Sequence, residues 1–292
     1  MNDSIQFLIS GITIGSIYAM VALGFVTIYS VTKVINLAQG EFVMLGGMVM
    51  FSLVNMGIPY LVAFILTIAV VMGIGWLLEW AVIRKAKGAD PLSLIILTIG
   101  TAIFIRGIAG MIWGKDSVKV APFSSDQPIN VFGASVTPQS VWVMVFMVLT
   151  VGILYFLIEK TMAGKAFRAC SVNSEAARLM AISPWKMSSI SFAMSAALGA
   201  LAGLVIAPIL FPSYDMGIML GIKGFSASIL GGLGSAPGAV IGGLLLGIIE
   251  SLGAGYISSG MKDAIAFGVV LMLLLIRPYG LLGEKNVGKG GL

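Results

Sequence analysis

The sequence predicts an all-α integral membrane protein with about eight transmembrane helices and one broken or re-entrant segment. It forms a single domain over residues 1–292, with the N-terminus outside and the C-terminus cytoplasmic. Three observations carry this prediction. Mean hydropathy is +1.07, and only 10% of the 292 residues are charged. A soluble domain carries about 25% charged residues, enough to cover its surface in water; this chain suits hydrocarbon as a solvent. Apolar runs of spanning length recur along the whole chain, and its basic residues fall in alternate loops between them.

A membrane helix needs ~20 mainly apolar residues. Such runs occupy roughly 5–31, 34–54, 59–83, 91–113, 139–158, 187–211, 236–257 and 262–276. The stretch 218–235 is apolar but interrupted by glycine, and is read as the broken segment. With the N-terminus outside, twelve Lys and Arg fall in inside loops: Lys33, Arg84, Lys85, Lys87, Lys160, Lys165, Arg168, Arg178, Lys186, Arg277, Lys285 and Lys289. Only Lys115, Lys119 and Lys262 fall outside. Basic residues favour cytoplasmic loops, which sets the orientation. Met1-Asn2-Asp3-Ser4 has no basic residue before the first apolar run, so the first helix is expected to be retained rather than cleaved as a signal peptide.

Composition also excludes function classes. The net charge of +5 is spread over short loops rather than gathered on one face, which argues against nucleic acid. One cysteine, Cys170, excludes an internal disulfide. The absence of histidine removes the commonest metal ligand and general base, so no metal site and no catalytic residues are expected. Gly110-Met111-Ile112-Trp113-Gly114-Lys115-Asp116 lacks the glycine spacing and the Ser or Thr of a phosphate-binding loop, so no cofactor is expected on this chain.

Two loops are long enough for structure of their own. Residues 114–138 lie outside and allow a short hairpin or a cover over the pore mouth. Residues 159–186 are basic and cytoplasmic. Within them Ser174, Glu175, Ala176, Ala177, Arg178, Leu179 and Met180 read as a short helix capped by Asn173 or Ser174 and stopped by Pro184. Ala176, Leu179 and Met180 share an apolar face, a shape suited to a partner's groove.

Glu175-Ala176-Ala177 resembles the EAA loop of ABC-importer permeases, with Ala181 where a glycine is usual. The whole chain resembles the LivH family of branched-chain amino acid permeases. The likeness runs through Gly15-Ser16-Ile17-Tyr18-Ala19, Val34-Ile35-Asn36-Leu37-Ala38-Gln39-Gly40-Glu41 and Gly231-Gly232-Leu233-Gly234-Ser235-Ala236-Pro237-Gly238-Ala239 to Arg277-Pro278-Tyr279-Gly280-Leu281-Leu282-Gly283. Family members usually carry His where Gln39 stands. The resemblance implies a multi-pass subunit of the bacterial inner membrane. Its partners would be a second, LivM-like permease, two cytoplasmic LivG/LivF-like ATPases that hold ATP and Mg, and a periplasmic binding protein. Residues 174–180 would couple it to the ATPases. Membrane lipid, and no nucleic acid, completes the partner set. The expected activity is ATP-driven import of branched-chain amino acids or related small solutes. An ion-gradient-driven secondary transporter is the alternative, and a membrane enzyme a poor third.

Ionisable groups within spans cost ~2.5–3.5 kcal/mol each at a helix centre on insertion scales, so each needs a reason. Glu79 is expected to reach the interface beside Arg84. Arg106 and Glu250 are expected to neutralise each other or to pair with carbonyls. Glu41 is expected to hold a neighbouring helix; Lys223 lies in the glycine-rich stretch 223–232. Asn36 and Gln39, about 60° apart on a helix at ~100° per residue, share a face that could line a polar pathway. Ser226 and Ser228 are candidates for the same role, with the segments 34–47 and 218–235 facing each other around it. Gly234, Gly238, Gly242, Gly243 and Gly247 are read mainly as close-packing positions.

Overall fold

The structure is a computed structural model that describes residues 2–86, 88–124, 127–131 and 133–283. Lys87, Lys285 and Lys289, three of the inside-loop cations counted above, lie outside the described residues. Among the described residues eleven α-helices follow in chain order: α1 (Asn2–Thr32), α2 (Gln39–Asn55), α3 (Tyr60–Leu78), α4 (Pro91–Trp113), α5 (Pro138–Lys160), α6 (Met162–Val172), α7 (Ser174–Leu179), α8 (Pro184–Leu210), α9 (Met216–Gly231), α10 (Ala236–Tyr256) and α11 (Lys262–Ile276). The helices α1, α3, α4, α5, α8, α10 and α11 are long and apolar enough to cross a membrane, α3 with the π-helical turn Glu79–Ile83 that extends it and α11 with the turn before it. α2 and α9, with 17 and 16 residues, are shorter.

Burial sorts these helices into a centre and a rim. The apolar window of α1 is 89% buried, against 17% for α4 and 11% for α11. α1 is therefore the axis of the bundle. α3, α4, α5 and α11 turn large apolar side chains such as Leu61, Phe104, Phe156 and Leu275 outward, as hydrocarbon requires. Glycine is what lets the centre close. A Cβ on Gly247 would stand 2.3 Å from the backbone nitrogen of Gly15, and one on Gly243 2.4 Å from that of Ala19, so α1 and α10 touch backbone to backbone. The opposite side of α10 does the same with α9, where Gly242 meets the carbonyl of Ala227 and Gly238 that of Gly231.

Two sequence expectations are corrected. Residues 218–235 are not a broken span: α9 runs unbroken to Gly231, and the chain turns at Gly232, where φ is +109°. Its glycines serve packing, since a Cβ on Gly224 would meet Val21 at 2.3 Å. The real interruption lies earlier. The predicted span 34–54 is helical only from Gln39, and residues 33–38 enter the bundle unwound after Lys33, whose φ is +56°. The free backbone groups there find other partners: Asn36 Oδ1 accepts from the Ala38 amide at 3.2 Å, and the Thr98 hydroxyl accepts from the Leu37 amide at 3.2 Å.

The loop 114–138 contains the expected hairpin, β1 (Ile129–Val131) paired antiparallel with β2 (Ala134–Val136), Ile129 opposite Val136. Gln6 pins it to α1 through both its amide atoms, donating to Ser135 O at 3.0 Å and accepting from Ser135 N at 2.7 Å. Val118 N donates to Pro212 O at 2.8 Å, which ties the same loop to the turn after α8. At the other end α4 opens with Pro91 in its first turn and Asp90 as its cap. The Ser93 hydroxyl and amide hold the Asp90 carboxyl below its ordinary pKa.

Candidate coupling helix and intramembrane polar centres

α7 is built by its cap. Asn173 Oδ1 accepts from the amides of Glu175 and Ala176, both at 3.0 Å, satisfying donors that the first turn leaves free. The helix ends at Leu179, and the turn is made by Ala181, not Pro184: Ala181 has φ +59°, the left-handed region glycine occupies without strain. Pro184 instead sits in the first turn of α8. Ala177 is buried against the chain, whereas Ser174, Glu175, Ala176 and Arg178 are exposed. Leu179 and Met180, 89% and 78% exposed, have no cover among the described residues. Behind α7 lies a cavity of about 290 Å³ whose walls include Glu175, Arg178, Trp185, Thr32 and Val34. It separates the short helix from the start of the unwound segment.

Four polar centres lie within the bundle. Gln39, fully buried at the start of α2, donates through Nε2 to Ser195 O at 3.0 Å and accepts from the Ser195 hydroxyl at 2.5 Å. Asn36 is buried beside it, with Nδ2 unpartnered. Ser228 is also buried and bonds back to Phe225 O at 2.7 Å, while Ser226 is half-buried on the outer side of α9. In this conformation Asn36, Gln39 and Ser228 are packed inside the bundle, and α2 and α9 close on each other: a Cβ on Gly40 would lie 2.0 Å from Gly217 O.

The expected Arg106–Glu250 pair does not form. Arg106 donates to Glu41, which joins α4 to α2. Glu250 accepts from Lys223 Nζ at 2.7 Å and from the Tyr18 hydroxyl at 2.8 Å, and Lys223 also meets Asp263 at 2.7 Å. Lys262 stands 3.7 Å from Glu250, so two ammonium and two carboxylate groups gather where α1, α9, α10 and α11 meet. Glu79 is also corrected. It is fully buried rather than at the interface, because Arg84 reaches back to it at 2.9 Å and the Ser189 hydroxyl donates to it at 2.7 Å. The π-helical turn explains the reach, since Arg84 N bonds Glu79 O and brings the two side chains onto one side. Ser195, Ser189, Tyr18 and Asp263 were not singled out in sequence. Nothing local distinguishes a serine that faces a glutamine from one that faces lipid.

Residues 7–276 match the family model described as the permease component of the branched-chain amino acid transport system. The chain belongs to this permease family. It is 33% identical to the high-affinity branched-chain amino acid transport system permease protein LivH of Escherichia coli, over 98% of this chain and 97% of that one. It is 34% identical to the permease protein BraD of Pseudomonas aeruginosa, with the same coverage. The ribose import permease protein RbsC of Haemophilus influenzae is 26% identical over 93% of this chain and 84% of its own length. No solved structure matches. The permease is thus a multi-pass membrane protein and a transport subunit, and its polar centres belong to a solute carrier.

Proposed function

We propose that this permease forms one half of an ATP-driven importer of branched-chain amino acids in a bacterial inner membrane. The other half is a second, LivM-like permease. Two LivG/LivF-like ATPases hold ATP and Mg²⁺ at the cytoplasmic side, and a periplasmic binding protein delivers the solute. The observation that carries the reading is the exposed apolar pair Leu179–Met180 on a short capped helix, an arrangement that suits insertion into a partner's groove. The names of the relatives support the solute class.

In this mechanism closure of the ATPases pushes α7 towards the cavity behind it. The push reaches residues 33–38 across that cavity and α8 through its first turn. α8 carries Ser195, which holds Gln39 and therefore the start of α2. Rocking α2 against α9 then opens the pathway to one side at a time, with Asn36, Gln39 and Ser228 placed along the moving junction and Ser226 on the outer side of α9.

The double substitution Leu179→Asp with Met180→Asp tests the coupling. Both side chains are exposed, so the permease should fold, within about 0.5 kcal/mol of native stability. The ATPases should no longer co-purify, and ATP-driven uptake should fall at least ~10-fold, the effect of losing ~1.4 kcal/mol or more of docking energy. Undiminished co-purification contradicts the docking role.

A further inference from the structure

The Glu41–Arg106 pair differs from the other ion pairs in its position. Glu79 and Arg84 sit at the C-terminal end of α3, and the Lys223–Glu250 cluster reaches the first turn of α11 through Asp263 and Lys262. Arg106 lies seven residues before the end of α4, roughly 10 Å inside that end at 1.5 Å per residue. Its side chain is nevertheless 24% exposed, on a helix whose neighbouring positions Ile99 and Ile103 face outward. An intramembrane charge faces the bundle interior or a water-filled cavity and pairs with another charge or a carbonyl; Arg106 keeps its pair with Glu41 and leaves part of its side chain open. The pair also has spare capacity. Glu41 is 2% exposed, yet its Oε2 has no partner, and neither has Arg106 Nε.

α9 begins against this pair. A Cβ on Gly217 would stand 2.9 Å from Glu41 Oε2, so the first turn of α9 lies directly on the free carboxylate oxygen. Asp215, the residue before that turn, is exposed and accepts from the Ser213 hydroxyl at 2.6 Å.

We propose that Glu41, Arg106 and Asp215 read the charged head of the passing solute. The guanidinium takes a carboxylate and the two acids take an ammonium. The ligand class is a zwitterionic α-amino acid; a sugar offers neither charge. This assignment rests on the importer reading above and adds where the solute is recognised within the membrane.

The test uses the complete complex in proteoliposomes with its binding protein, measuring uptake of leucine and ribose together with ATP hydrolysis. Glu41→Gln, Arg106→Gln and their double variant should each lower leucine uptake at least ~10-fold, while hydrolysis stays within about two-fold of the native complex. If the pair merely ties α2 to α4, the double variant regains most of the native uptake, and the proposal is overturned. Leucine uptake by the native complex and the double variant alike removes this inference alone. A native complex that imports ribose and no amino acid removes the solute assignment as well.

Discussion

Gly247→Val should cost this permease most of its folded yield. The Cβ alone would stand 2.3 Å from Gly15 N and 2.5 Å from Gly11 O, and both are main-chain atoms of the central helix. No rotamer relieves a clash with backbone, so α1 and α10 must separate along their contact. Overpacking costs ~1–3 kcal/mol even where side chains can adjust, and here they cannot, so the upper end of that range or more is expected. The check is the monodisperse fraction after detergent extraction and its midpoint of thermal aggregation. Gly107→Val is the matched control: Gly107 has nothing within 4 Å of its Cβ position, so its yield should stay native. Equal behaviour of the two variants would mean that the α1–α10 contact is not the one that holds the bundle.

Glu250→Ala should be the most damaging single removal of charge. It strips Lys223 of one of its two carboxylate partners at 2.7 Å and Tyr18 of its acceptor. It also leaves Asp263 as the only carboxylate on Lys223 among the described residues and removes the carboxylate 3.7 Å from Lys262. Breaking a buried pair by removing one member typically costs ~3–5 kcal/mol, because the other charge stays desolvated. The double variant Lys223→Met, Glu250→Gln removes one charge of each sign and should be clearly less destabilised than the sum of its single changes. Thermal midpoints of the four proteins read this coupling directly. Strict additivity would show that Lys223 and Glu250 do not depend on each other.

The spans were legible because lipid imposes a local rule: ~20 apolar residues in a row read the same wherever they pack. Asn173 as a helix cap was legible for the same reason, its partners being two and three residues away. What failed was long-range. Arg106 finds Glu41 rather than Glu250 because the relative placement of α2, α4 and α10 decides the partner, and no local pattern encodes that. The unwound entry to α2 depends on Thr98, 61 residues beyond Leu37. In α9 the glycines were misread because glycine both breaks helices and lets them approach, and only Val21 and Gly40 across the interface show which applies. Ala181 is intermediate. The resemblance marked a position where glycine is usual, and the left-handed backbone there gives the reason.

The central claim, that this chain imports an amino acid at the expense of ATP, is tested most directly by radiolabelled leucine uptake. The assay uses proteoliposomes that hold the permease with its co-purifying subunits and ATP inside, and binding protein outside. The account predicts uptake that requires ATP and binding protein together and is indifferent to collapse of the proton and sodium gradients. Uptake that persists without ATP and vanishes when those gradients are collapsed would contradict it, and would make the chain a secondary transporter.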